Sequence, residues 1–599
     1  MENNPPRRAV LAAAAVVAAS AAATGPAHAA APTSPQEGPA DLVLTNGRVY
    51  TVDKHDSVHR AVAITRGRIV YVGTAKGAAA HIGEGTTVVD LKGRMVMPGL
   101  HDGHIHPMSG GEGLIGCDLA YAPLTVEQFQ AKIRDYLDKT KDKEPDAWVI
   151  VSHWYVQAMR PKGTKLTKAH LDALDTERPI VVYSTDGHTT LVNSRALKLA
   201  GITAKTKNPP SGTIERDKDG EPTGVLQDGA DAPVSAKIPR PTAEENVEIA
   251  RTALAALAKQ GVTTFMDAIA SEDGVRAFDT LRERGELTAR AHFAPLVSVS
   301  DADPLKHPVR LRRRYDGGRI GVRPGVSVHN VKLILDGVLQ YPAQTAGLLE
   351  PYLEHKHDRW VSGAKSGAQY WKQEQLDRAV LKLAKAGFEP HIHAIGDRSV
   401  RVALNAYEHL RKAGDHRTRA TIAHAELVDP RDLPRFGRLD VVAAMGFHWA
   451  KPAPDSVDTV KPYLGDKRWS TYEPEGDLLR RGGRISLGSD WPVDPLDEWT
   501  AIKTVITRTA APGTKYAKEG AMTPHQRLTR AAAVRAATLN GAYQLGQERH
   551  TGSLEVGKLA DLIVLDRDIM SIPAERIAGT KVLLTLVGGK AVHGSTDLG

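Results

Sequence analysis

The sequence predicts an α/β protein: a (β/α)8 TIM-like barrel with insertions, together with a small β-sandwich formed from both chain ends. Two observations support this fold class. The middle of the chain alternates helical stretches with short β-branched runs, a pattern typical of a parallel sheet. Both ends instead carry short strands in which apolar and polar residues alternate around glycine turns.

The composition limits the functions that the chain can carry. Its 599 residues are 41% apolar, which is enough for large cores, and the formal net charge is only +8. The basic runs RLRRRYDGGR and HLRKAGDHRTR are expected to be solvated surface, so no nucleic-acid partner is predicted. A single cysteine, Cys117, excludes an intrachain disulfide and a cysteine-built zinc finger. Any metal site must therefore use His, Asp, Glu or Lys.

Residues 1–29 are predicted to be a secretory signal peptide. MENNPPRR is positively charged, residues 9–24 are alanine-rich and apolar, and AHA at 27–29 supplies an A-x-A cleavage site. Arg7 and Arg8 also resemble a twin-arginine signal. The alternative is a membrane anchor, but the apolar segment is shorter than the roughly 20 residues that a span needs. The protein is therefore predicted to be secreted or extracytoplasmic, possessing no stable membrane anchor.

Residues 41–97 and 546–599 are predicted to be the two parts of the β-sandwich. DLVLTNGRVYTV and AVAITRGRIVYVG alternate apolar and polar residues around Asn46-Gly47 and Arg66-Gly67, a pattern that predicts hairpin strands. LADLIVLDRD and VLLTLVGGKAVHG repeat the pattern near the other end of the chain. Neither end is long enough to bury a sheet alone, so the two are expected to pair.

Residues 98–545 are predicted to form the barrel. EENVEIARTALAALAKQG leads into the strand VTTFMD, and QEQLDRAVLKLAKAG leads into FEPHIHAIGD; in both units a glycine ends the helix. Repeated units over this length favour a closed barrel over an open sheet. In such a barrel, residues at the carboxyl ends of the strands face the active site.

Potential metal ligands recur where these strands end. In PGLHDGHIHP, His104 and His106 are one residue apart, so on a strand both side chains point to the same face. Two neutral imidazoles aimed at one point are typical of a metal site. Singly, each candidate is equally compatible with a structural role, but their common position at strand ends predicts one site. The other candidates are Lys332, Asp336, His391, His393, His424 and Asp490.

Seven motifs in a fixed order resemble the metal-dependent amidohydrolase superfamily, and in particular its family 3, which includes N-substituted formamide deformylases. They are PGLHDGHIHP, DGHTTLVNSRAL, VKLILDG, HIHAIGD, IAHAE, LGSDWPVDP and GSLEVGKLADLIVLDRD. The resemblance extends over residues 41–594. It implies a hydrolase that acts on carbon–nitrogen bonds other than peptide bonds.

The resemblance also implies a binuclear metal centre. His104, His106 and Asp490 would bind one metal, and His393 and His424 a second. Lys332 would bridge both metals as a carboxylated lysine. Since all of these ligands are nitrogen or oxygen atoms, two zinc ions per chain are expected, with manganese, iron or nickel as substitutes. His391 is a rival to His393 because both lie on the same face of one strand.

By the same resemblance, a metal-activated hydroxide attacks the substrate carbonyl. Asp490 would carry the proton from the water to the leaving nitrogen, and His188 would orient the substrate and stabilise the oxyanion. Trp154 and His448 are expected to contact the substrate, with a core position as the alternative for Trp154. The chain departs from the family at His101 and in the run GFHW, so a formamide substrate does not follow.

The leading hypothesis is a secreted metal-dependent hydrolase that cleaves an amide, formamide or cyclic amide. One alternative is a mononuclear, deaminase-like enzyme that uses His104, His106, a later histidine and Asp490. Another is a non-catalytic extracytoplasmic binding protein. The expected partner is a small-molecule substrate, and a homodimer is left open as the assembly.

Overall fold

The computed structural model describes residues 38–598 apart from 162, 186–188, 210–211 and 319. The predicted signal peptide and His188 lie outside the described residues. Among the helices of the described part, none is both long and apolar enough to cross a membrane.

The strands follow one another along the whole described chain. They are β1 Leu42–Thr45, β2 Arg48–Tyr50, β3 Val58–His59, β4 Ala61–Thr65, β5 Arg68–Gly73, β6 Thr87–Asp90, β7 Met95–Pro98, β8 Leu100–Ile105, β9 Cys117–Asp118, β10 Val149–Trp154, β11 Ile180–Ser184, β12 Thr189–Val192, β13 Gly212–Arg216, β14 Pro222–Asp228, β15 Val262–Asp267, β16 Arg290–Phe293, β17 Val326–Ser327, β18 Asn330–Ile334, β19 Leu353–Lys356, β20 Arg359–Ser362, β21 Glu389–Ala394, β22 Ala420–His424, β23 Val441–Met445, β24 Arg484–Leu487, β25 Leu562–Leu565, β26 Val582–Val587 and β27 Lys590–Gly594.

The α-helices lie mainly between the parallel strands. They are α1 Ala75–Ala78, α2 Pro107–Ile115, α3 Val126–Lys139, α4 Lys168–Asp172, α5 Ser194–Ala200, α6 Ala232–Ser235, α7 Ala243–Gln260, α8 Glu272–Arg284, α9 Lys306–Tyr315, α10 Gln373–Lys385, α11 Asp397–Lys412, α12 Leu433–Arg438, α13 Lys461–Trp469, α14 Glu475–Arg480, α15 Glu498–Thr507, α16 Arg530–Arg535 and α17 Gly541–Gln544.

The middle of the chain forms two parallel sheets. Their strand orders are β17-β16-β15-β8 and β18-β21-β22-β23-β24. The predicted helix–strand units are confirmed: α7 ends at Gln260, Gly261 adopts a left-handed φ of 87°, and β15 begins at once. α10 likewise leads into β21. The molecule therefore has a TIM-barrel-like α/β fold with additional mixed sheets.

The two chain ends meet in one sheet of order β27-β26-β25-β7-β2-β3. In its centre β7 pairs with β25, which places Met97 opposite Ile563. A four-stranded sheet, β5-β4-β1-β6, shares a hydrophobic cluster with it, in which Leu44 and Val62 pack with Leu562. Burying this cluster accounts for the association of segments that are far apart in the sequence.

The prediction of a hairpin at Asn46-Gly47 is wrong. β1 pairs with β4 and β6, whereas β2 pairs with β7 and β3 in the other sheet. Asn46 has a φ of 56°, and a Cβ at Gly47 would lie 2.2 Å from Leu91 Cδ1. The two residues thus allow a tight crossing between sheets, for which their conformational freedom is as useful as in a hairpin. The Arg66-Gly67 hairpin is confirmed by the antiparallel pairing of β4 with β5.

A further, mixed sheet is inserted between β8 and β15. Its strand order is β13-β14-β12-β11-β10-β9. It has its own hydrophobic cluster, which includes Phe129, Val151 and Trp154. The sequence predicts insertions in the barrel region, and this sheet is the largest of them.

Candidate metal centre

His104 and His106 meet Asp490 where β8 and β24 end. The backbone N–H of Asp490 donates to the carbonyl of His104 at 2.9 Å. The backbone N–H of His106 donates to the carbonyl of Trp491, also at 2.9 Å, so the two segments run side by side. Asp490 Oδ1 lies 3.1 Å from His106 Nε2 and 3.5 Å from His104 Nε2. Among the described residues, these three form a group whose potential ligand atoms all lie within 4.8 Å of one another.

Lys332 approaches this group from β18. Its side chain is buried, with 1% of the residue exposed, and Nζ lies 3.3 Å from His104 Nε2. Burial lowers the pKa of Lys332 to about 8, against the opposing charges of Asp490 and Asp267. The amine is therefore neutral more often than that of an exposed lysine.

The structure separates the roles of the two histidines in HIHAIGD. His391 is fully buried, and its Nε2 lies 2.8 Å from His104 Nδ1. His391 therefore fixes the ring of His104, whose Nε2 faces Lys332 and Asp490. β21 begins at Glu389, and His393 lies four residues later, nearer the carboxyl end of the strand. Its Nε2 donates a hydrogen bond to the carbonyl of Gly337 at 3.2 Å.

His424, the last residue of β22, lies beside the other histidines of the site. Its imidazole lies 4.6 Å from that of His393 and 4.7 Å from that of His104, centroid to centroid. Its Nδ1 is 4.0 Å from Asp490 Oδ2. The indole of Trp449 stacks on its other side at 5.3 Å and donates to Asp494 through Nε1 at 2.8 Å. Trp449 thus forms a wall of the site; the unusual GFHW run was the sequence signal for it.

Burial keeps these histidines neutral. It lowers the pKa of His104, His391 and His424 well below the ordinary value, and the Lys332 charge lowers it further. Burial and the same lysine lower the pKa of His393 to about 3. A neutral imidazole is the form that binds a metal ion.

Two buried aspartates hold the strand ends together. Asp102 accepts hydrogen bonds from the backbone N–H and the hydroxyl of Ser489, at 3.0 and 2.5 Å, and from the backbone N–H of His104. Asp336 accepts three backbone N–H groups, those of Gly347, Ile395 and Gly396. These contacts explain the aspartates of the HDGH and LDG motifs, to which sequence reasoning assigned no such role. Asp267, at the end of β15, was not singled out from the sequence either; it is buried, which raises its pKa to about 6 against the opposing charges of His106 and Lys332.

The structure does not bring all predicted substrate residues to this cluster. Trp154 is 2% exposed and packs against Phe129 in the core of the inserted sheet, which corresponds to the core alternative. His448 is buried in a short 3-10 turn beside Trp449, in the loop after β23. His188 lies outside the described residues.

The donor set fits a divalent metal ion. Asp490 Oδ1 is buried and has no hydrogen-bond partner among the described residues, although His106 Nε2 is only 3.1 Å away. Both atoms are therefore placed to share a third partner. Neutral imidazoles and a carboxylate are common ligands of zinc and similar metals. Their position at the carboxyl ends of parallel strands is that of the active site in TIM-barrel enzymes, so fold and site together define a metal-dependent hydrolase.

Comparisons with known proteins identify the family. The model of the amidohydrolase family matches residues 87–593. The chain therefore belongs to the amidohydrolase family and is a hydrolase that acts on carbon–nitrogen bonds.

Similar proteins align over nearly the whole chain. Protein LONG AFTER FAR-RED 3 of Arabidopsis thaliana is 29% identical over 92% of this chain and 92% of its own length. N-substituted formamide deformylase of Arthrobacter pascens is 26% identical over 92% of this chain and 97% of its own length. An uncharacterized metal-dependent hydrolase from Pyrococcus horikoshii OT3 shares the fold, with a TM-score of 0.70, 24% identity and coverage of 89% of this chain and 99% of that one.

Proposed function

We propose that the protein is a secreted metal-dependent hydrolase that cleaves a non-peptide carbon–nitrogen bond in an amide, a formamide or a cyclic amide. The observation that carries the proposal is the group of His104, His106 and Asp490 beside the buried Lys332. The likeness to N-substituted formamide deformylase supports an amide-type substrate. The partner in this proposal is a small molecule.

The proposed architecture is a closed (β/α)8 barrel and a β-sandwich made from both chain ends. Two contacts support closure: a parallel bridge between Leu296 and Lys332 links the two parallel sheets, and the Asp490 N–H bond to His104 links β24 to β8. The shared cluster of the two terminal sheets supports the sandwich.

In this proposal His104, His106 and Asp490 hold one divalent metal, and His393 and His424 hold a second. Lys332, as a carbamate, would help to hold both, and zinc is the expected metal. The low pKa of Lys332 supports this assignment, because carbon dioxide reacts with the neutral amine. Bound metal supplies Lewis acidity and lowers the pKa of a water molecule.

Asp490 is the proton carrier of the proposed reaction. Its Oδ1 is a buried acceptor without a hydrogen-bond partner in the described part of the chain, so it is suited to take a proton from water and donate it to the leaving nitrogen. The backbone N–H and the hydroxyl of Ser489 donate to Asp102, and these hydrogen bonds hold the neighbouring Asp490 carboxylate against His104 and His106. Trp449 closes one side of the site over His424, while His448 and His188 remain proposed substrate contacts.

Secretion is proposed from the sequence of residues 1–29. Cleavage after Ala29 is expected, and amino-terminal sequencing of protein from the culture medium checks it. If export uses the twin-arginine route, replacing Arg7 and Arg8 by Lys stops it. A secreted chain that still begins at Met1 contradicts the proposal.

One observation favours a mononuclear site as a second candidate. His393 Nε2 donates to the carbonyl of Gly337, whereas among the described residues the group of potential ligands within 4.8 Å of one another consists of His104, His106 and Asp490. A deaminase-like enzyme needs one metal held in this way. Metal content decides between the two: about two ions per chain support the binuclear site, and about one ion, with Lys332 dispensable, supports the mononuclear site.

The test of function is a hydrolysis screen of N-formyl, N-acetyl and cyclic amide compounds with metal-reconstituted protein. The Asp490→Asn variant is the matched control, because it keeps the size of the side chain and removes the proton acceptor. Turnover by the parent that the variant loses supports the proposal. A protein that binds no metal and hydrolyses none of the compounds is the outcome expected of a non-catalytic binding protein.

A further inference from the structure

Three large aliphatic side chains are exposed beside the metal cluster. Ile269, Leu296 and Val493 are 42%, 38% and 43% exposed, and they follow the carboxyl ends of β15, β16 and β24. Single exposed apolar residues are common on protein surfaces, whereas several at one site form a patch that receives a ligand or a partner. These three residues are called the apolar arc below.

Two residues of the apolar arc are bonded through their backbone to acidic residues of the site. The N–H of Val493 donates to the carbonyl of Asp490 at 2.8 Å, which keeps their Cα atoms within about 7 Å of each other. The N–H of Ile269 donates to Asp267 Oδ1 at 3.1 Å. Both aliphatic residues are therefore immediate neighbours of the metal cluster.

Leu296 is placed by its pairing with Lys332, with which it forms a parallel bridge. The N–H of Lys332 donates to the carbonyl of Pro295 at 3.0 Å, and the N–H of Val297 donates to that of Lys332 at 2.8 Å. Residues directly opposite each other in neighbouring strands have their side chains on the same face of the sheet. Because Lys332 Nζ lies 3.3 Å from His104 Nε2, Leu296 lies on the face that carries the metal cluster.

The apolar arc is continuous along one side of the site. β15 pairs with both β8 and β16, and the segment after β24 bonds to β8 through Asp490 and His104. Adjacent strands are about 4.8 Å apart, so the three steps from β24 to β16 span about 14 Å. Trp449 stacks on His424, which belongs to the other parallel sheet. A substrate at the metal cluster thus has the aliphatic residues along one side.

The segments that carry the apolar arc offer little charge to a ligand. Residues 268–270, AIA, and residues 294–297, APLV, contain no charged side chain. Asp494, which follows Val493, already accepts a hydrogen bond from Trp449 Nε1 at 2.8 Å. A charged group placed here would lose its hydration without compensation, whereas an apolar chain gains free energy by leaving water.

We propose that the apolar arc binds an alkyl chain of the substrate, so that the preferred amide carries a chain of several carbon atoms and not a methyl or charged group. This inference rests on the proposed function, because it places the amide at the end of the chain at the metal centre. Ile269, Leu296 and Val493 determine specificity and take no part in bond cleavage.

The probes are N-octylformamide and nonanamide, which carry an octyl group on the nitrogen and on the carbonyl carbon. Their matched controls are N-methylformamide and acetamide, in which a methyl group replaces the octyl group. Isothermal titration calorimetry on the Asp490→Asn variant measures binding without turnover. In at least one pair, the octyl compound is expected to bind about tenfold or more tightly than its methyl counterpart, because each buried CH₂ group adds favourable free energy.

A second substitution in the same chain identifies the residues responsible. Leu296→Asn keeps the size of the side chain and is expected to remove most of the preference for the octyl compound. Val556→Thr is the matched control, because Val556 is 60% exposed and lies between α17 and β25, outside the apolar arc. The preference is expected to persist in that control.

Equal affinity for the octyl and methyl compounds in both pairs overturns the proposal, and so does an undiminished preference in Leu296→Asn. If Leu296→Asn does not fold, Ile269→Asn replaces it and is judged in the same way. Turnover by the parent chain tests the proposed function separately. A parent that hydrolyses neither octyl compound counts against the hydrolase, whereas a preference in Asp490→Asn that depends on Leu296 still supports the apolar arc.

Discussion

Two buried polar clusters lie at opposite ends of the parallel strands, and they differ in how their atoms are satisfied. The ion pair of Arg290 with Asp561 is 4% and 0% exposed, and Asp561 also accepts the Gly588 N–H at 2.7 Å. In the metal cluster, by contrast, Asp490 Oδ1 has no hydrogen-bond partner within the described chain. A cluster whose polar atoms are all paired within the protein stabilises the fold. A cluster that leaves a buried acceptor atom without a partner is built to receive a ligand.

The largest expected effect is that of Lys332→Ala on the unsatisfied cluster. Metal content and activity should fall together, with activity reduced about a thousandfold or more, because metal assistance is worth several kcal/mol. The free energy of unfolding of the metal-free chain should change little. Metal analysis, turnover and denaturation measure the three quantities, with exposed Lys382→Ala as control. Added short carboxylic acids should restore part of the activity; two retained metals and normal turnover would refute the bridging role.

The satisfied cluster should respond in the opposite way. Asp561→Asn leaves the Arg290 guanidinium buried without its counter-charge, so the free energy of unfolding should fall by about 3–5 kcal/mol. Activity per folded molecule should not change. Glu286→Gln, which breaks an exposed pair with Arg251, is the control and should cost under about 1 kcal/mol. If Asp561→Asn removed metal without destabilising the chain, the comparison would fail.

His391 combines a feature of each cluster. It is fully buried, yet it contacts His104, a proposed metal ligand. His391→Leu removes the acceptor that orients His104 and should weaken metal binding by about 10- to 100-fold. His391→Gln places a carboxamide near the position of Nε2 and should recover much of that affinity. Equal losses in the two variants, measured by competition with a chelator, would favour His391 as a direct ligand instead.

The smallest effect is the change that His391→Gln makes to the pH dependence of stability in the metal-free protein. Burial lowers the pKa of His104, His391 and His424 well below 6.5, so below that pH the unfolded chain binds more protons than the folded chain. Stability is therefore fully present above pH 6.5 and falls as the pH decreases. Each histidine contributes a slope of at most about 1.4 kcal/mol per pH unit. Denaturation series at several pH values should show a shallower slope for His391→Gln; an identical slope would contradict the buried, neutral state.

Much of the site could be predicted because its residues follow the two-residue period of a strand. His104 and His106 share one face for that reason, and the register that sets Lys332 beside His391 and Ile334 beside His393 follows from parallel pairing. The same two-residue period could not decide whether His391 or His393 is the metal ligand, because both side chains lie on the same face of the strand. Position along β21 separates them, because His393 lies nearer the carboxyl end of the strand, and the contacts made there depend on the neighbouring strands.

The features that escaped prediction depend on contacts between distant segments. Asp102 bonds to Ser489, 387 residues away, and Trp449 meets His424 across a loop. The Asn46-Gly47 signal fitted a hairpin and a sheet crossing equally well, because it encodes local backbone freedom and not the identity of the paired strand. The topology of the inserted sheet was inaccessible for the same reason.

The pairing of β7 with β25 also sets the order in which the molecule can be completed. β7 ends at Pro98 and its partner begins at Leu562, so the central pair of the terminal sheet cannot form until the segment that contains Leu562 has been synthesised. Closing so long a loop costs entropy that only the finished apolar cluster repays. A chain that lacks β25 leaves Met97 without its antiparallel neighbour Ile563. The packing of β2 and β7 near the start of the described chain thereby depends on β25 and β26, which lie far along the sequence.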